Sequence, residues 1–139
     1  MKVFKRSRAV KDIQTWEEKS GFLDFLSRVP VEVERFNRNF EFGIKNIVTP
    51  PAEIDGDEGM PLKAGFVLVR DNLLVPEVTY CLYSLLYNYK LCGYTGVLKN
   101  GSITTLKELK PISDFRKGHI ILHDWLTQLV RASCEKKMP

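Results

Sequence analysis

The residues best suited to chemistry in this chain are its two histidines. His119 and His123 stand four positions apart, with Asp124 directly after the second. On a helix, two histidines at this spacing can bind zinc from one face. No glutamate follows the first histidine and no third ligand is evident. The pattern therefore favours strand-end histidines and a helix cap, and it predicts no metal site and no cofactor.

Three cysteines, Cys81, Cys92 and Cys134, are the candidate nucleophiles. The odd number and the lack of a Cys-x-x-Cys pair predict free, buried thiols in a reducing compartment. The usual nucleophile and phosphate-loop motifs (GxSxG, GxxxxGK[ST], GxGxxG) are absent. A Cys–His site stays open as an alternative because such partners need only meet in space. The enzyme alternative is a site around His119 and His123.

Charge is separated along the chain, although the net charge is only +4. The first eleven residues carry no acid and five bases: Lys2, Lys5, Arg6, Arg8 and Lys11. Residues 1–10 are predicted to form a flexible basic tail. Such tails bind anionic partners, either a nucleic acid backbone or an anionic membrane surface.

An acidic segment with the opposite charge occupies residues 50–61. It contains three prolines, two glycines and no base, and its acids are Glu53, Asp55, Asp57 and Glu58. The proline and glycine content predicts a loop without regular structure. The acids lack the spacing of a calcium-binding EF-hand, so a solvated loop is expected.

Hydrophobic spacing and turn residues predict three helices. The first follows a capping box at Thr15, runs from Trp16 to Arg28 with Leu23 and Leu26 inward, and ends at Pro30. The second begins after Pro76 and ends near Cys92, before Gly93. The third begins at Asp124 and continues to Ser133, with its apolar face formed by Leu126, Leu129 and Val130.

Strands are predicted between these helices. Phe40, Phe42 and Ile44 alternate with polar residues, which is typical of a half-buried strand, whereas 62–71 is apolar enough for burial on both faces. Asn100-Gly101 predicts a two-residue hairpin turn between 94–98 and 102–106. A short strand is expected at 119–122.

The fold class predicted from this order is α+β, with a mainly antiparallel sheet and about three helices packed on one face. Residues 11–139 are expected to form one domain after the tail. No apolar run is long enough to span a membrane. An intracellular, cytoplasmic protein, peripheral at membranes at most, is expected.

Three tyrosines on the predicted second helix, Tyr80, Tyr83 and Tyr87, form a stripe partly away from its leucine face. Tyrosine is enriched at protein interfaces, so this stripe predicts contact with a protein partner or with another copy of the chain. Burial inside the domain is the alternative reading of the same stripe.

The order of elements from 62 to 106, together with the basic start MKVFKRSR, resembles that of matrix proteins of negative-strand RNA viruses, the rhabdovirus kind especially. The segment Pro50-Pro51-Ala52-Glu53 lacks the tyrosine of the Pro-Pro-x-Tyr motif that many of those proteins carry. The resemblance transfers no functional residue. It implies an oligomer that bridges an anionic membrane and a nucleocapsid.

These observations favour a non-enzymatic interaction protein. The basic tail would bind an anionic surface, and the tyrosine helix would contact protein, as a homo-oligomer or with a different partner. No small-molecule substrate is indicated. An accessory protein directed at one host protein and a small enzyme are the alternatives.

Overall fold

The computed structural model describes residues 16–47, 53–54, 65–73, 75–87 and 90–135. Within these ranges the chain forms two α-helices, six strands and one short 3-10 helix. In chain order they are α1 (Trp16–Phe40), β1 (Ile44–Ile47), β2 (Glu53–Ile54), β3 (Val67–Asp71), β4 (Thr79–Tyr87), β5 (Lys90–Lys99), β6 (Ser102–Glu108), the 3-10 helix (Phe115–Lys117) and α2 (Gly118–Glu135).

The strands form one sheet in the order β1-β3-β4-β5-β6-β2. Five strands pair antiparallel, and the two-residue β2 pairs parallel with the start of β6. The α+β class and the mainly antiparallel sheet are therefore confirmed. Among the described residues there are two α-helices, not three.

The helix predicted from Pro76 to Cys92 is wrong, because this segment forms β4 and the start of β5. Residues 80–83 and 85–86 are all buried. A segment buried on every side satisfies the helical period and the strand period equally well, so its spacing cannot choose between them. Pairing on both sides decides the outcome, since β4 lies between β3 and β5.

The first helix is longer than expected, because Pro30 lies inside α1 and does not end it. Proline removes one backbone hydrogen bond, but this loss is outweighed when burial continues beyond it. The buried face extends across Pro30 at steps of three and four residues: Phe22, Phe25, Val29, Val33 and Phe36. Leu23, predicted to point inward, is exposed, and Leu26 is half-buried.

The end of that helix and the acidic segment also differ from expectation. Phe40 is the last residue of α1, and strand β1 begins only at Ile44. In the acidic segment, Glu53–Ile54 pairs with β6, and its other residues lie outside the described ranges.

Helix α2 begins earlier than predicted and includes His119–Leu122, which were expected to form a strand. Its start is set by the 3-10 helix, where the side chain of Asp114 accepts a hydrogen bond from the backbone N–H of Arg116. Asp124 therefore lies inside the helix and does not cap it. The inward positions Leu126, Leu129 and Val130 are confirmed.

The β5–β6 hairpin is confirmed in detail. Asn100 and Gly101 have φ angles of 54° and 77°. Positive φ at both central residues is what a type I′ turn requires. Burial of β3 on both faces is also confirmed, since Val67, Leu68 and Val69 are all buried.

Both helices share a hydrophobic core with one face of the sheet. At its centre, the ring of Trp125 lies against Gly93 of β5 so closely that a Cβ on Gly93 would fall 2.6 Å from two ring carbons. The indole Nε1 donates a hydrogen bond to the carbonyl oxygen of Lys110 at 2.6 Å. Gly93 is therefore required by contact with Trp125.

A Gly93→Ala variant should be less stable by about 1–3 kcal/mol, because the new methyl group overpacks a fully buried ring. Urea denaturation followed by far-ultraviolet circular dichroism measures this change. Gly43→Ala is the matched control, since a Cβ there meets nothing within 4 Å. Equal stability of the two variants would contradict the assigned role of Gly93.

Candidate anion-binding cleft

Tyr80 and Tyr83, predicted to form one stripe with Tyr87, lie on opposite faces of the sheet. Tyr80 belongs to the core under the helices, and Tyr83 belongs to a second cluster on the other face of the sheet. Both side chains are buried. Tyr87 is the last residue of β4. Residues on a strand alternate between faces, so a spacing of three residues separates Tyr80 from Tyr83.

Tyr83 makes specific contacts in that second cluster. Its ring stacks on Tyr94 with the centroids 5.1 Å apart, and its hydroxyl hydrogen-bonds with that of Thr105 at 2.6 Å. These contacts tie β4 to β5 and β6, and so give Tyr83 a structural role.

The predicted anion-binding residues Lys2, Lys5, Arg6, Arg8 and Lys11 lie outside the described residues.

The structure does not bring a histidine and a cysteine together among the described residues. His119 and His123 are exposed on α2, and the ring of His123 meets those of Phe36 and Phe40 edge-on. Cys134 is eleven residues further along the same helix, about 16 Å from His123 by helix rise. The other two cysteines lie in strands.

Cys81 lies on the sheet face opposite the helices. Its side chain is fully buried, and burial raises the pKa of the thiol to about 12. The thiolate is the reactive form of cysteine, so Cys81 is chemically inert at neutral pH. On β5, Cys92 alternates with Leu91, which packs under the helices, and this directs Cys92 to the opposite face.

A cleft of about 260 Å³ opens between α1 and the start of α2. Its apolar lining is Phe25, Val29, Phe115 and Leu122. Its polar lining, which includes three guanidinium groups, is Arg28, Arg35, Arg116, His119 and Glu32. We call it the arginine cleft.

Close contact between the two helices shapes the arginine cleft. A Cβ on Gly118 would fall 2.6 Å from the ring of Phe25, so only glycine permits this approach. The Phe115 ring lies 5.4 Å from Phe22 and 5.8 Å from Phe25 between ring centroids. The aromatic contacts fix the 3-10 helix against α1, and they hold Arg116 and His119 beside Arg28.

Each arginine of the cleft is paired with a neighbouring carboxylate of its own segment. Arg28 lies 3.2 Å from Asp24, and Arg35 lies 3.4 Å from Glu32. Arg116 lies 3.4 Å from Asp114. The three arginine side chains are 68%, 62% and 89% exposed, respectively. Exposed pairs of this kind contribute about 0–1 kcal/mol, so an incoming anion can exchange with them at little cost.

Sequence reasoning missed the arginine cleft. The first helix was predicted to end at Pro30, so Glu32 and Arg35 were not placed on it. On the longer helix, steps of four and three residues place Arg28, Glu32 and Arg35 along one side of α1. Reading 119–122 as a strand hid the closeness of His119 to Arg116. Asp114, two residues before Arg116, is the cap signal that could have revealed the true helix start.

Arg70 has a structural role. Its guanidinium donates a hydrogen bond to the Ser133 hydroxyl, and its Cζ lies 5.5 Å from the centre of the Phe42 ring. Ser133 is in the last turn of α2, where the helix dipole favours a positive charge.

Comparisons with known proteins match this chain to no family model, no curated protein and no solved structure. Among the described residues, no helix combines the length and apolar character needed to cross a membrane. Within the same ranges, no group of three or more His, Cys, Asp or Glu side chains is placed to hold a metal ion. The function of this chain is therefore inferred from its own geometry.

A Gly118→Ala variant should lose about 1–3 kcal/mol of stability, because its methyl group meets the buried Phe25 ring. Gly21→Ala in α1 is the matched control. Its nearest contact is at 4.0 Å, so the better helix former should stabilise the protein by up to about 1 kcal/mol. Thermal denaturation of both variants measures the difference. Stabilisation by Gly118→Ala would show that α1 and α2 are not in close contact.

At pH 8, iodoacetamide should leave Cys81 unmodified in the folded protein and alkylate it after unfolding in urea. Raising the thiol pKa from 9.0 to about 12 lowers the thiolate fraction about a thousandfold, and burial adds a steric barrier. The same shift makes the folded state less stable as the pH rises from 9 towards 12, because the unfolded chain then loses the thiol proton while the folded chain keeps it.

Peptide mapping by mass spectrometry measures the modification of Cys81. Alkylation of the folded protein as fast as that of the urea-unfolded chain would contradict the burial of this thiol.

Proposed function

We propose that the protein is a non-enzymatic interaction protein that binds an anionic partner through the arginine cleft. The observation that carries this proposal is the set of three arginines around one cleft whose lining also includes four apolar side chains. Guanidinium groups form two parallel hydrogen bonds with a carboxylate or phosphate, and they are weakly hydrated compared with lysine. They are therefore suited to an anion that is partly removed from water.

Rigid support is the second argument for this site. Phe25, Val29 and Leu122 are buried and belong to α1 and α2. A binding site on packed helices costs little ordering on association, whereas a site on loops must be ordered first.

Binding is favoured over catalysis by the chemistry of the described residues. The arginine cleft contains one carboxylate and one imidazole, but no cysteine or serine to act as a nucleophile. Cys81, the most buried thiol, is on the other face of the sheet. The basic segment 1–11 adds a second region of positive charge in the same chain, and we include it in the proposal as an auxiliary contact with the same partner.

Self-association through Tyr80, Tyr83 and Tyr87 is not part of this proposal, because the first two side chains are buried on opposite faces of the sheet. The viral matrix resemblance stays a prediction. The arrangement on which it depends included a helix at 76–92, where the structure has strands.

Neutralising the cleft should weaken anion binding about tenfold. The variant is Arg28→Gln, Arg35→Gln and Arg116→Gln together, and the estimate assumes about 0.5 kcal/mol for each exposed contact. Binding to fluorescent polyglutamate, single-stranded RNA and phosphatidylserine vesicles is measured over a salt series. Weaker salt dependence is expected for the variant, because fewer counterions are released.

The matched control is Lys45→Gln, Lys90→Gln and Lys99→Gln, which removes the same charge from exposed sites outside the cleft. A third variant neutralises the five bases of residues 1–11. If the cleft variant and the lysine control lose the same amount of binding affinity, net charge alone explains the effect and the proposal is overturned. Failure of the wild-type protein to bind any of the three probes would overturn it as well.

A further inference from the structure

The balance of charge in the arginine cleft distinguishes among anionic partners. Three arginine side chains line the cleft, but Glu32 lines the same space, and Asp24 and Asp114 pair with two of the arginines. A site for a continuous row of phosphates would concentrate one sign of charge, since long-range attraction drives such binding. Mixed charge at this density instead suits a partner with separate carboxylates at defined positions.

The size of the cleft argues for a side chain as the anchor. Pockets for drug-sized ligands measure roughly 300–1,000 Å³, and the volume here is about 260 Å³. The space is bounded by the buried side chains Phe25, Val29 and Leu122. One large apolar side chain can enter this space between the arginines.

Glu32 adds a hydrogen-bond acceptor to the arginine cleft, and the partner must supply a donor for it. Its side chain is 23% exposed, against 62% for Arg35, with which it pairs. A carboxylate in this position is an acceptor for the backbone N–H groups of a bound peptide. A phosphodiester backbone has no N–H to donate to this carboxylate, whereas a peptide backbone has one at every residue except proline.

We propose that the arginine cleft binds an acidic peptide segment of a partner protein, with one large apolar side chain seated in the cleft and carboxylates on the surrounding arginines. This inference rests on the proposed function and specifies its partner class. An apolar anchor in a preformed pocket, surrounded by polar contacts, is the common arrangement of binding hot spots. The charged rim adds orientation and selectivity.

A short synthetic peptide with one central leucine between glutamates tests this inference by fluorescence anisotropy with the full-length chain. Replacing that leucine with alanine should weaken binding at least about tenfold, because alanine loses most of the apolar contact that leucine makes with the lining of the cleft. The arginine dependence is tested with Arg116→Glu, which changes a side chain that is 89% exposed and so should leave the fold intact.

Arg116→Glu should lose binding of the glutamate peptide and regain it with a peptide in which lysine replaces the glutamate nearest that position. Such a charge swap restores binding only when the two groups are in contact. A set of peptides with lysine placed at each glutamate in turn locates the contact. Lys99→Glu, an exposed change of the same size outside the cleft, should leave both peptides unaffected.

The outcomes separate this inference from the proposed function. Binding of RNA or vesicles that depends on the cleft arginines, without binding of the leucine peptide, would overturn the peptide inference and leave the proposed function standing. Equal binding of the leucine and alanine peptides would also overturn the peptide inference. So would failure of every lysine-containing peptide to restore binding to Arg116→Glu. If the wild-type protein binds none of the anionic probes, both the proposed function and the peptide inference are overturned.

Discussion

The contact between Trp125 and Gly93 fixes the position of α2 on the sheet, and the arginine cleft depends on that position. The indole ring packs against Gly93, which has no side chain. The indole N–H donates a hydrogen bond to the carbonyl oxygen of Lys110. A second close approach, between Gly118 and Phe25, then sets the distance from α2 to α1. Two glycines against two buried aromatic rings thus determine where the helices meet.

The cleft follows from this arrangement together with ordinary helix chemistry. Arg28, Glu32 and Arg35 are neighbours on α1 because three- and four-residue steps share a helix side. Arg116 and His119 face them because the 3-10 helix is held to α1 by Phe115. The charged groups are exposed and loosely paired, while the apolar lining is rigid. Fixed apolar contact combined with exchangeable charge is the physical basis of the proposed binding role.

Local chemistry was sufficient to predict several elements from the sequence. The Asn100-Gly101 turn requires positive φ at both residues, and few other pairs tolerate it, so the hairpin was predictable from two residues. The inward face of α2 and the double burial of β3 followed from hydrophobic spacing. Such features depend on neighbours in sequence, and the structure confirms them.

Elements decided by tertiary contact were not predictable in the same way. Residues 80–86 are buried on every side, and only pairing with β3 and β5 makes them a strand. Pro30 would end an isolated helix, whereas burial of Val33 and Phe36 carries α1 past it. The arginine cleft depends on both helix corrections, which is why its residues were absent from the predicted sites.

NMR chemical-shift mapping with the leucine-centred acidic peptide tests most directly whether binding occurs at the arginine cleft. The largest shifts of backbone amides should fall in two stretches, residues 25–35 of α1 and residues 115–122 at the start of α2. Shifts concentrated on β5 and β6, with those two stretches unchanged, would contradict it.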